Sequence, residues 1–342
     1  AYSTPSGRYS ESIYLMKKVA IYILFSTIAL VLFALSLRTG IVQLHTSLWQ
    51  LLTNHSGVDG TTVWQIRFPR ALGAVIIGAG LGIAGAIAQG IFRNPLAEPT
   101  LIGLSSGATL GTIAIISSGA AAYGSRTNAM SAILFAILAA LLVQLLAPNK
   151  GYGFLLTGIA ISAILTAAAG ILISISPKPG IQSLSFWNFG SLSLLTNNTV
   201  QVIAPFIEIG IIISFFVSRK LDAYSLGESS SHYIGVNPKR LRLIAIIGMA
   251  FLVGASVSAV GSIAFLGLLV PHIVRLLVGP VHRRMLTFSA LIGATLLLLA
   301  DLLARVLFQP HEFPLGLITS LIGAPALIIL LRTQKSQWVA ND

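Results

Sequence analysis

Cysteine is absent from the 342 residues, so neither a disulfide framework nor a thiolate metal site can form. Charge is almost as scarce: Asp, Glu, Lys and Arg make up 9% of the chain, against roughly 25% in ordinary soluble domains. A water-soluble surface cannot be built from that supply. The six histidines, His45, His55, His232, His272, His282 and His311, follow neither HExxH nor another metal-ligand spacing. A Walker A lysine loop is missing, and so is any constellation of nucleophile, base and orienting group. No catalytic and no metal-ligating residue is therefore assigned, and no cofactor bound by this chain is expected.

What the chain has in abundance is apolar sequence: 55% of its residues are hydrophobic and its mean hydropathy is +0.90. A bilayer core of about 30 Å needs about 20 apolar residues to cross it as a helix. Ten segments approach that length, at 19–37, 69–92, 101–117, 128–147, 153–175, 199–217, 241–261, 263–278, 285–308 and 314–332. The expected fold class is an all-α integral membrane protein with about ten transmembrane helices. The third and eighth segments are short and flanked by Gly or Pro, as tilted or broken helices are. The expected organisation is a polar tail at 1–16, a transmembrane domain at 17–335 and a C-terminal tail at 336–342. The first apolar run is longer than a signal-peptide h-region and is read as a retained span.

The net charge of +12 would suggest nucleic acid in a soluble protein. Here the basic residues lie between apolar runs, where they set topology, and no nucleic-acid partner is expected. With both termini cytoplasmic, only Arg38, Arg67, Arg70, Arg126, Lys178 and Arg305 fall outside or at the outer edge, leaving fifteen of the 21 inside. The reverse orientation inverts that ratio.

Small residues recur every fourth position at Gly78, Gly82, Ala86 and Gly90, and again at Gly103, Gly107 and Gly111. In lipid this spacing lets helix backbones approach closely, so tight packing is expected. Of the nine acidic residues only Glu208 and Asp301 fall well within spans. Asp301 precedes Arg305 by four residues, the spacing of an intrahelical pair. Glu208 has no assigned role. So few intramembrane carboxylates argue against an ion-coupled secondary transporter, the main alternative from another class. Pro95 in RNPLAEP stops a helix, and Gly235 and Pro238 end a short helix expected within the basic cytoplasmic segment 219–242.

Six stretches together resemble the permeases of ABC importers for haem, ferric siderophores and cobalamin. They are RFPR (67–70), QGIFRNPLAEPTLIGLSSGA (89–108), FWNFGSL (186–192), LGESSSHYIGV (226–236), GSIAFLGLLVPHIVR (261–275), and ADLLAR (300–305) with FPLGLITSLIGAP (313–325). The resemblance implies a type II importer permease in the bacterial inner membrane. Its partners would be a second permease subunit, identical or related, a cytoplasmic ATPase dimer that uses ATP and Mg, and an extracytoplasmic binding protein. It implies ATPase coupling by Leu226, Gly227, Glu228, Ser229, Ser230, Ser231, His232, Tyr233 and Gly235. It implies a cytoplasmic gate at Asn94 and Leu96, and docking of the binding protein at Arg67, Arg70 and Arg305 by outward-reaching guanidinium groups. The FWNFGSL stretch and the run at 279–284 look most like haem-type members. Haem or another iron chelate is thus the implied cargo, with cobalamin or molybdate as alternatives. Phe313 departs from the resembled motif, which carries an aliphatic residue after its acidic one.

Overall fold

A computed structural model describes residues 5–40, 43, 44, 46, 57–147, 153–176, 187–227, 231, 233–307 and 312–339. The ten expected spans are ten helices: α1 (Pro5–Arg38), α2 (Gly57–Ile91), α3 (Leu104–Ser118), α4 (Arg126–Leu146), α5 (Gly153–Ile175), α6 (Asn197–Ser225), α7 (Pro238–Val260), α8 (Leu266–Val278), α9 (His282–Val306) and α10 (Leu315–Val339). Among the described residues there is no strand. Seven helices are long and apolar enough to cross a membrane; α3, α8 and the described apolar part of α10 are shorter. Local chemistry starts several of them. Ser125 accepts from the Asn128 N–H, Thr196 from the Thr199 N–H, and Asn237 from those of Lys239 and Arg240, each satisfying donors that a helix N-terminus leaves orphaned.

The core is α2 with α7 and α9 around it, while α1 lies at the periphery: 78% of the apolar window of α2 is buried against 6% for α1. The small-residue rows explain how α2 reaches the centre. A Cβ on Gly78 would collide with the Gly293 carbonyl of α9, one on Gly82 with the Ser289 carbonyl, and one on Gly85 with the Gly267 carbonyl of α8. Gly107 and Gly111 on α3 meet the Phe135 and Ser131 carbonyls of α4 in the same way. The spacing therefore marks backbone-to-backbone contact, as small residues do in lipid.

Two boundaries differ from expectation. Helix α2 begins at Gly57, twelve residues before the apolar run, through a π-helical turn at Thr62–Arg67 in which the Phe68 N–H donates to the Val63 carbonyl. Polar helix outside the apolar stretch leaves no hydropathy signal. Helix α6 continues to Ser225, so Arg219, Lys220 and Asp222 belong to a helix and not to a loop.

Candidate functional site

At the end of the bundle where α1 finishes, Arg67, Arg70 and Arg305 converge, all buried. Arg70 donates from Nε to Asp301 Oδ1 at 2.8 Å and from Nη1 to both Glu312 oxygens at 3.1 and 3.0 Å. The second Asp301 oxygen lies 2.8 Å from Arg305 Nη2, an ion pair not aligned as a hydrogen bond. Arg305 also donates to the Ser36 and Thr39 carbonyls at 3.3 and 3.1 Å, and Arg67 to those of Leu37 and Arg38 at 3.1 and 2.6 Å. Two cations thus cap the last carbonyls of α1, where the helix dipole favours positive charge.

The expected i,i+4 pair of Asp301 and Arg305 is present. The expectation of outward-reaching arginines is corrected. The extension of α2 packs these side chains against the ends of α1 and α9, and fixed carboxylates and carbonyls offer buried guanidinium groups more than the interface does. Glu312, on the connection before α10, is the exposed member of the cluster.

At the opposite end, α2 stops at Ile91 and the chain turns through Arg93, which has a positive φ of 47°. Asn94 Oδ1 accepts from the Leu96 N–H at 2.9 Å, and the Asn94 carbonyl from the Ala97 N–H at 3.0 Å. Both candidate gate residues are half-buried in this fixed turn. Next to it, Glu98 Oε1 accepts from the Phe265 N–H at 2.7 Å, tying the turn to the start of α8. Burial pushes the Glu98 carboxyl up to about 7, opposed by that N–H and by Thr100. Gln89 donates to the Leu268 carbonyl at 3.2 Å and accepts from Arg275 at 2.8 Å. Asp222 accepts from the His282 N–H at 2.8 Å and lies 2.8 Å from its ring Nδ1, so the end of α6 caps the start of α9. His272, expected to be hydrogen-bonded, is buried and makes no hydrogen bond among the described residues. Sequence reading passed over Glu98, Gln89 and Asp222; for Asp222 the one signal was an isolated carboxylate in a basic segment.

Of the candidate coupling segment, Glu228, Ser229, Ser230 and His232 lie outside the described residues. Leu226 and Gly227 close the last turn of α6 through bonds to Ala223 and Tyr224. Ser231 is fully buried and accepts from the Val236 N–H at 2.9 Å, whereas Tyr233 and Ile234 are 93% and 60% exposed. Gly235 has φ +79° with open space around it. Glu208 faces outward midway along α6.

Two connections on the Arg67 end are stitched to α7. Tyr123 bonds the Ala259 carbonyl and accepts from Trp187 Nε1 at 3.2 Å, and burial raises its phenol well above the usual range, so it stays a neutral donor. Asn128 donates to the Ser258 carbonyl at 3.1 Å. Among the described residues no group of three His, Asp or Glu side chains suits a metal ion.

A helical bundle with seven helices long and apolar enough to cross a membrane, and with buried ion pairs at one end, defines a polytopic membrane protein. The chain belongs to the FecCD transport family, whose profile matches residues 27–333. It is 38% identical over 322 residues to the hemin transport system permease protein HmuU of Yersinia pestis, covering 92% of this chain and 96% of that one. It is 38% identical over 315 residues to the Fe(3+)-citrate import system permease protein YfmE of Bacillus subtilis, covering 89% and 93%. The cobalamin import system permease protein BtuC of Halobacterium salinarum is 36% identical over 278 residues, covering 80% and 74%. A solved inward-facing structure of a metal-chelate type ABC transporter superposes with a TM-score of 0.80 at 31% identity, covering 92% of this chain and 99% of that chain.

Proposed function

We propose that this permease carries haem or another iron chelate into the cytoplasm as the membrane subunit of a binding-protein-dependent ABC importer. The observation that carries the reading is the 38% identity to a haem permease over 92% of this chain and 96% of that one. In this reading the chain is not itself catalytic. It pairs with a second permease subunit in the inner membrane, holds both termini in the cytoplasm and takes its energy from a separate ATPase dimer. Leu226 to Gly235 would meet that ATPase, which suits the exposed Tyr233 and Ile234 beside the buried Ser231. Asn94 and Leu96 would border the inner gate. The binding protein would engage the Arg67, Arg70 and Arg305 cluster through Glu312, its exposed carboxylate, whose place on Arg70 an incoming carboxylate can take.

The test is reconstitution with the ATPase and binding protein in liposomes. ATP-dependent accumulation of iron protoporphyrin, ferric citrate, a ferric hydroxamate, cobalamin and molybdate is then followed in parallel. Accumulation of an iron chelate only when ATP is inside supports the reading. Uptake that needs an ion gradient and ignores ATP sinks it in favour of a secondary transporter.

A further inference from the structure

Among the described residues only two other than glycine have a positive φ, Arg93 at 47° and Phe265 at 65°. A left-handed backbone is costly for a residue with a bulky side chain and persists only where the surroundings hold it. Arg93 lies in the connection from α2 to α3, Phe265 in that from α7 to α8, and Glu98 joins the two. Its Oε1 accepts from the Phe265 N–H at 2.7 Å, and Thr100 also bonds its carboxyl. The packing around the contact is close. A Cβ on Gly267 would press on Pro99 at 3.0 Å, and one on Gly323 of α10 would strike the Phe265 side chain. The Asn94 turn, the start of α8 and α10 thus meet around Glu98 and Phe265.

Glu98 is 7% exposed, and no described cation pairs with it. The elements packed around the two connections supply no countercharge. The described side chains of α3, α5 and α10 include no titratable group, and α4 carries its one arginine, Arg126, at its first residue. Arg93 lies over the Tyr224 ring, and on α8 Arg275 is bonded to Gln89 with His272 beside it. On α9 the charged groups sit at the ends, where His282 meets Asp222 and Arg305 meets Asp301. A buried carboxyl without a countercharge favours its neutral form, because the charged form must give up its water. The Phe265 N–H needs only a lone pair, which the neutral carboxyl retains. Once out of this site the carboxyl meets water and ionises as an ordinary one does. Separation of the Asn94 turn from α8 is therefore linked to release of one proton to water.

We infer that Glu98 is a positioning residue for the Asn94 turn, holding it on the start of α8 while protonated and freeing it on giving its proton to water. The inference rests on the reading that this turn borders the inner gate, and adds what regulates it. Left-handed residues in both connections store strain against the contact, so the charge on Glu98 can decide it.

The experiment places a nitroxide on L96C in the full complex in nanodiscs, with a cysteine-free ATPase, and reads the ratio of mobile to immobile label against pH. With Glu98 present that ratio is expected to rise about tenfold from pH 5.5 to pH 7 and to level off above. In E98Q, which keeps an acceptor and cannot ionise, it is expected to stay at the low-pH value throughout. His272 and His282 remain in both proteins, so their titration cancels in the comparison. Assembly with the ATPase, read by size-exclusion chromatography, separates a changed contact from a lost fold. A purely structural tether would make E98Q shift the ratio equally at every pH, and that result overturns the inference. A ratio indifferent to pH with Glu98 in place also overturns it, and needs no variant to fold. A label that follows pH but ignores nucleotide overturns the gate reading and leaves the proton-linked contact standing.

Discussion

Asp301 is fully buried between the Arg70 and Arg305 guanidinium groups, so removing its charge takes the paired carboxylate from Arg305 and leaves Arg70 with Glu312 alone. Breaking a buried pair from one side costs about 3–5 kcal/mol, and Asp301→Ala is expected to lower the apparent Tm in detergent by several degrees. Glu312→Gln removes a carboxylate that is a third exposed, and its effect on Tm should be small. Equal losses in the two variants would mean that the cluster does not divide into a buried and an exchangeable carboxylate. Glu98 supplies the pH dependence. Its folded pKa of about 7 lies above the ordinary carboxyl value, so the folded state binds a proton that the unfolded chain has released. That contribution is fully present below the ordinary value and is lost as pH rises through about 7, by on the order of 3 kcal/mol. Replacing the carboxyl by an amide removes this contribution, so Glu98→Gln is expected to gain apparent Tm relative to the wild type at pH 8 more than at pH 5. A difference between the two proteins that is the same at both pH values would refute the assignment.

Among the elements, the link from α6 to α7 turns through positive-φ glycines at Gly227 and Gly235. Gly235 has open space around it, so a substitution there is resisted by its positive φ and not by a neighbour. Gly235→Val should cost about 1–2 kcal/mol locally and impair ATP-coupled uptake, while Gly235→Asn, which tolerates this conformation, should retain it. Equal uptake by the two variants would show that the turn does not transmit the ATPase stroke. Elements were legible in the sequence wherever apolar length or small-residue spacing announced them. Ten spans, the two short helices and the backbone contacts of Gly78 and Gly82 followed from the pattern, while that of Gly85 lies off the row. Hydropathy is blind to polar helix, so the extension of α2 to Gly57 and of α6 to Ser225 was not legible. The burial of Arg67, Arg70 and Arg305 followed from that gap. A guanidinium group placed at a presumed helix start looks free to reach water, but one enclosed by a further turn of helix does not. Pairings across long sequence separations, such as Arg70 with Glu312 or Glu98 with Phe265, have no local signature.

For the whole molecule, the proposed transport cycle would move the Asn94 turn relative to its counterpart in a second permease subunit. The chain has no native cysteine, so a single Cys at position 94 or 96 reports without background. The N94C and L96C variants are expected to cross-link between permease copies with a yield that changes when nucleotide is added. A yield indifferent to nucleotide and to binding protein would make the Asn94 turn a static helix stop. Orientation is tested with the same blank background. Cysteines placed in the tails should resist an impermeant maleimide in intact cells and react after lysis.

Helix α10 enters the bundle with its first two amides lent to another connection, Leu315 to the Gly190 carbonyl and Gly316 to the Phe189 carbonyl. Any opening that swings α10 away from 187–191 must release both protons to solvent together. Hydrogen–deuterium exchange at these two positions thus becomes a clock for opening at the Arg67 end of the bundle. Slow exchange in the resting complex and joint acceleration during ATP turnover would time the opening itself, with no label on the cargo.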